Sequence, residues 1–122
     1  GGPAARRSAL AGADVVLACA AAGTQVVSAQ DLAVAGRLKV AADLNAVPPE
    51  GIAGLGVTDD GKPLAGTQAV GIGALAIGNV KYPTQQRLLV QMREAQKPVM
   101  LGFAEAFAMA QALVAEAAGA KP

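Results

Sequence analysis

This sequence contains no histidine and no tryptophan. Without imidazole, the chain itself can hold no Ser-His-Asp apparatus, no histidine acid–base pair and no imidazole metal site. The single cysteine, Cys19, cannot form an internal disulfide. Its apolar neighbours predict a core-filling role, and a lone thiol is compatible with a reducing compartment. Aromatic residues are scarce, only Tyr82, Phe103 and Phe107, so the core must be built from Ala, Val, Leu and Ile. Charge is sparse as well. The net charge is +1, with no basic patch and no aromatic stacking platform, which excludes nucleic acid as an expected partner. Arg6-Arg7, the densest basic pair, reads as a solvated helix face. Glu50, Asp59 and Asp60 read as solvated loop charges, and without His or Cys beside them no metal site is expected. No apolar run reaches the roughly 18 residues of a membrane span. Leu64 to Val80 comes nearest but is broken by glycines and Gln68. No signal-peptide pattern opens the chain, so no membrane partner is expected. Gly1-Gly2-Pro3 lacks an initiator Met and reads as an interior start.

What is present suits one α/β domain. The chain has 122 residues, 53% of them hydrophobic, with fifteen glycines, a mix that favours closely packed parallel strands and helices. Pro3 to Ala11 reads as a helix with proline near its first turn and Gly12 after its end. Asp14 to Cys19 is a short apolar run of the kind found in buried parallel strands. Small residues follow it, Ala20-Ala21-Ala22-Gly23, and let a ligand or another backbone come close. Ser28-Ala29-Gln30-Asp31 has capping-box spacing. It predicts a helix to about Ala35, with Gly36 as a left-handed cap. Leu38 to Asp43 is the next strand, completing a βαβ unit. Val47 to Pro63 is rich in turn residues and predicts little regular structure. Gln68 to Ile72 reads as a third strand. Ala74 to Lys81 reads as a helix that Pro83 interrupts, and Thr84 as the N-cap of another, reaching about Gln96. Phe103, Phe107, Ala110 and Val114 mark the apolar stripe of a last helix.

Three motifs carry possible chemistry. Asp43 and Asn45 end an apolar strand ahead of Pro48-Pro49, at the end of a parallel strand where open α/β sheets bind ligands. They read either as ligand-facing polar tips or as local turn caps. Gly71-Ile72-Gly73-Ala74-Leu75-Ala76 matches the dinucleotide fingerprint in its G-x-G-x-x-A form. No ribose-binding acid follows at the required distance, and a strand-to-helix turn with close backbone packing explains it better. Lys81 can bind an anionic group or complement a helix end. Tyr82 can stack on a flat ring or cover apolar surface.

Taken in order, Ala42-Asp43-Leu44-Asn45-Ala46-Val47-Pro48-Pro49-Glu50-Gly51-Ile52, Thr58-Asp59-Asp60-Gly61-Lys62 and Gly73-Ala74-Leu75-Ala76-Ile77-Gly78-Asn79-Val80-Lys81 make the chain resemble a family. It is similar to the carboxyl-terminal part of the bacterial NAD(P)-dependent methylenetetrahydromethanopterin dehydrogenases, over about Gly12 to Glu94. The resemblance implies the second half of a Rossmann-like parallel sheet, strands four to six, followed by C-terminal helices. It divides the chain into residues 1–82, the dinucleotide-binding part, and 83–122, helices packing towards a substrate domain. It implies hydride transfer from the methylene carbon of a tetrahydropterin to C4 of NAD or NADP, in cytoplasmic one-carbon metabolism. Ala20, Ala21, Ala22 and Gly23, with Asn45 and Ala46, match the loops beside the nicotinamide and its ribose. Lys81 matches a lysine near the pterin cleft. The family's phosphate fingerprint and the strand that selects NAD or NADP have no counterpart here. A missing N-terminal half, or a companion chain, would have to supply them. The isolated chain is therefore expected to be inactive, and the complete protein to be a homo-oligomer.

The other reading is a non-catalytic α/β binding or assembly module. Three short strands leave an uncovered sheet edge, which calls for a partner under either reading.

Overall fold

A computed structural model describes residues 1–120 of the chain. They fold as two compact units, Gly1–Ile77 and the part from Gly78 onward.

The first unit is α/β. Helix α1, Pro3–Ala11, starts with proline in its first turn and ends at Gly12, whose N–H reaches back to the Ala9 carbonyl. It buries only Leu10. Strand β1, Val15–Ala18, leads through a loop to helix α2, Ala29–Leu32. The capping box forms as its spacing predicts: Ser28 Oγ accepts the Asp31 N–H, and Asp31 accepts the Ser28 N–H. The helix is shorter than expected, with Ala33 as its cap. Gly36 is not in the left-handed region, because turns closed by the Ala35 and Leu38 N–H groups carry the chain onward instead.

Strands β2, Val40–Asp43, β3, Asp60–Pro63, and β4, Val70–Ile72, complete a four-stranded sheet in the order β1-β2-β4-β3. β1, β2 and β4 are mutually parallel, with Val15 opposite Val40 and Val40 opposite Val70. The expectation of a wholly parallel sheet needs correction, since β3 runs antiparallel to β4. It lies in the stretch expected to be turn. Its residues Asp60-Gly61-Lys62-Pro63 are all exposed, and its register is broken between Asp60 and Lys62. Such a polar edge strand has no apolar alternation to betray it; its hydrogen-bonded partner β4 makes it a strand. Pro63 is tolerated because it sits on the outer strand.

Every residue of the buried core belongs to this unit: Leu10, Ala18, Val27, Leu32, Ala35, Leu38, Ala41, Ile52, Leu55, Leu64 and Ala69. The core is aliphatic throughout, as the shortage of aromatics demands. Two further expectations fail. Cys19 is exposed, because β1 is an edge strand whose alternate residues Val15 and Leu17 also face outward. Arg6 and Arg7 are not simply solvated: both donate through Nε to the carboxylate of Asp31, at 3.0 Å each. Asp31 is fully buried, so it ties α1 to the start of α2. With the Ser28 N–H as the main cause and the two guanidiniums assisting, its pKa falls from 3.8 to about 2.

Helix α3, Ala74–Glu94, begins in the first unit and continues into the second. It runs unbroken through Pro83. Proline removes one N–H, the donor to the Asn79 carbonyl. Thr84 is no N-cap; its hydroxyl donates to the Val80 carbonyl at 2.7 Å. In the second unit, α3 is joined by helix α4, Phe103–Gly119. Glu105 accepts the Gly102 N–H at 2.8 Å and so caps α4. Arg87 forms a two-pronged pair with Glu116, at 2.9 and 2.7 Å. The bond raises the Arg87 pKa and lowers that of Glu116. No residue of α4 is buried. Phe103, Phe107 and Val114 of its apolar stripe are exposed and Ala110 is half-buried, with the Phe103 and Phe107 rings stacked at 5.9 Å. Among the described residues no helix is long and apolar enough to cross a membrane.

Candidate functional site

The carboxyl ends of β1 and β2 lie side by side, Ala18 opposite Asp43. The loops that leave them carry six of the residues singled out in the sequence: Ala20, Ala21, Ala22 and Gly23 on the first, Asn45 and Ala46 on the second. The Leu44 N–H donates to the Ala18 carbonyl at 3.0 Å, so the pairing continues past the last strand residues.

Asp43 is the foundation of the second loop. It is buried, with one carboxylate oxygen accepting the Asn45 N–H at 2.9 Å and the other the Ile52 N–H at 3.1 Å. The loop is thereby pinned at both ends. Gly51 leaves room for this, since a Cβ there would stand 2.6 Å from an Asp43 oxygen. Of the two readings of Asp43, the turn-cap one describes these bonds.

Asn45 joins the two loops. Its Oδ1 accepts the Gly23 N–H at 3.2 Å and the Val47 N–H at 2.9 Å. Its Nδ2 donates to the Pro49 carbonyl at 2.9 Å. Gly23 has φ of +72°, a conformation that favours glycine. Beyond this link, the Gly51 carbonyl accepts from the N–H groups of Val26 and Val27, and Val27 pairs with Ile52.

The rim presents small or apolar side chains. Ala20, Ala21, Ala22 and Ala46 are exposed, as are Leu44 and Val47. Such a rim can pack against a flat, uncharged ring, and none of these six side chains is a general acid or base. Lys81 is exposed on α3, in the second unit, with its ammonium 5.6 Å from the Tyr82 ring centroid. Among the described residues no group of three His, Cys, Asp or Glu side chains could hold a metal ion.

The glycine motif before α3 serves packing. A Cβ on Gly73 would come 2.2 Å from the Gly56 carbonyl oxygen and 2.5 Å from that of Val57. The Gly73 N–H donates to Asp59 and that of Leu75 to Val57, both at 2.8 Å. Two of the donors that would greet a phosphate, on Gly73 and Leu75, are thus already engaged by carbonyl oxygens. Asp59 is itself no solvated charge: it accepts the Gly56 N–H at 2.8 Å and is largely buried. Sequence reading missed this brace, in which the acid reaches back to the N–H three residues before it, as the last residue of a capping box does.

No family model matches the chain. Individual proteins do. The chain is 32% identical over 96 residues to the bifunctional protein MdtA of Methylorubrum extorquens, covering 79% of this chain and 33% of that protein. It is 51% identical over 108 residues to the NAD(P)-dependent methylenetetrahydromethanopterin dehydrogenase of the same organism, covering 88% of this chain and 36% of that enzyme. The chain thus spans about a third of the length of the curated relatives it matches. The family resemblance read from the sequence is borne out: over most of its length, this chain is similar to an NAD(P)-dependent methylenetetrahydromethanopterin dehydrogenase.

Proposed function

We propose that this chain is the nicotinamide-side portion of an oxidoreductase that passes a hydride from methylene-tetrahydromethanopterin, or a related tetrahydropterin, to NAD or NADP. The observation that carries the proposal is the pair of loops after β1 and β2, held together at adjacent parallel strand ends, in a chain 51% identical to such an enzyme. Ligands of open α/β sheets bind at such strand ends. Ala20, Ala21, Ala22, Gly23, Asn45 and Ala46 form the cofactor side; Lys81 is assigned to the pterin.

Hydride transfer asks little of ionisable groups. Beside the loops carrying Ala20–Gly23 and Asn45–Ala46, bound NAD or NADP would accept a hydride, both electrons of a methylene C–H bond, with the methenyl pterin as product. The cofactor supplies this chemistry. The protein holds the two carbons in contact and keeps water out. An uncharged rim without histidine fits that task.

The sheet supports the need for a companion portion. Its parallel strands progress from β1 through β2 to β4, away from an open outer edge on β1. Val15 and Leu17 on that strand are 56% and 65% exposed, whereas parallel strands are normally covered on both faces. A strand–Gly-rich turn–helix from the remainder of a Rossmann domain fits beside β1 and would hold the pyrophosphate. The complete protein acts in the cytoplasm as a homo-oligomer in this reading.

The test uses the whole polypeptide that carries this segment. Calorimetry with NAD and with NADP should detect binding, and addition of methylene-tetrahydromethanopterin should raise absorbance at the wavelength of the reduced nicotinamide. A folded protein that binds neither dinucleotide defeats the proposal.

A further inference from the structure

We propose that Asn45 is a positioning residue, which fixes the two cofactor loops against each other and acts on the dinucleotide only through them. This rests on the functional reading above and assigns Asn45 its task within it.

The hydrogen-bond inventory of the side chain carries the inference. A primary amide offers one oxygen with two lone pairs and two N–H donors. Both lone pairs of Asn45 Oδ1 are committed, to the N–H groups of Gly23 and Val47. One N–H of Nδ2 is committed to the Pro49 carbonyl. The residue is only 6% exposed, so the side chain is turned into the loops. Its backbone is held as well, through the bond from its N–H to buried Asp43.

The partners are the ones such a brace needs. Pro48 and Pro49 have no N–H, so Val47 is the last backbone donor before them, and Asn45 takes it. Gly23 belongs to the other loop and adopts φ of +72°; its N–H donates to Asn45 at 3.2 Å. This side chain therefore links Ala20–Gly23 directly to Ala46–Val47, whose exposed small side chains are the surface a nicotinamide would meet. Aspartate would not serve equally. It keeps the acceptors, but places an oxygen against the Pro49 carbonyl where the amide donates at 2.9 Å.

The experiment compares wild type, Asn45→Ala and Asn45→Asp in the whole polypeptide. Three quantities are read: amide hydrogen exchange at Gly23 and Val47, NAD and NADP affinity by calorimetry, and KM against kcat. In Asn45→Ala, exchange at both amides should rise while that of Gly71 in β4 stays unchanged. Dinucleotide KM and Kd should rise about tenfold or more, with kcat changing much less, as lost preorganisation predicts. Asn45→Asp should fall between the two and serves if the alanine variant does not fold. Lost affinity with Gly23 and Val47 still protected would mean direct ligand contact and overturn the proposal. Deprotected amides with unchanged affinity would overturn it as well, while leaving the functional reading intact. Wild-type protein that binds no dinucleotide would remove both.

Discussion

The two units of this chain hold themselves together by different means. In Gly1–Ile77, eleven aliphatic residues form a buried core, and three acidic side chains, Asp31, Asp43 and Asp59, are turned inward as acceptors for backbone N–H groups. From Gly78 onward no residue of α4 is fully buried, Ala106, Met109, Ala110 and Leu113 being only half-buried, and the exposed Arg87–Glu116 pair ties it to α3. Local helix propensity suffices to draw Ala-rich α4, and most of α3 apart from Gly78 and Pro83. It cannot draw the sheet and loops of the first unit, which depend on side chains meeting from distant parts of the chain. A site needs the second kind of order, because loop backbones keep a fixed spacing only when something buried holds them.

Substitutions can break this contrast, and the largest effect should come where backbone meets backbone. Gly73→Val should destabilise the first unit by about 3 kcal/mol or more in urea unfolding, because carbonyl oxygens of Gly56 and Val57 occupy the space of a side chain. A smaller loss would mean that the 56–57 loop can move away at little cost. Leu38→Ala, at a fully buried site, should cost about 2–5 kcal/mol by the same measurement.

Asp31 gives the contrast a pH signature. Its folded pKa, about 2, lies below the ordinary 3.8. The stabilisation it contributes is therefore complete above about pH 4 and is lost as pH falls towards 2. Asp31→Asn should flatten that part of the stability–pH curve, whereas Glu116→Gln should leave it nearly unaltered. Equal slopes for the two variants would erase the difference drawn between a buried brace and an exposed pair. The smallest effects belong to the second unit. Phe103→Ala removes a side chain that is 84% exposed and should change stability by less than about 0.5 kcal/mol. A loss like that of Leu38→Ala would show that this face is covered in the protein as measured.

Much of the first unit was legible residue by residue. Pro3 and Gly12 bracket α1, Ser28 and Asp31 cap α2, and the apolar runs at β1, β2 and β4 are strands. These signals are local, carried by backbone preference and by side chains a few positions apart. β3 was not legible, because its residues are polar and only pairing with β4 makes them a strand. Pro83 read as a break, yet the loss of one hydrogen bond did not stop a helix supported on both sides. Cys19 read as core, since an apolar neighbourhood does not say which face of an edge strand is covered.

The candidate site divides in the same way. Sequence alone determined that the chain is α/β, that its core is aliphatic, that it has no histidine chemistry, and that Asp43 and Asn45 stand at a strand's carboxyl end. It also carried the family resemblance. Only the tertiary structure decided what those polar tips do. Asp43 pins its own loop, Asn45 crosses to Gly23 in the loop after β1, and Arg6 and Arg7 converge on Asp31. The physical reason is range. Propensity and capping act over a few residues, whereas a hydrogen bond between positions 23 and 45 exists only after β1 and β2 have paired and brought their ends together.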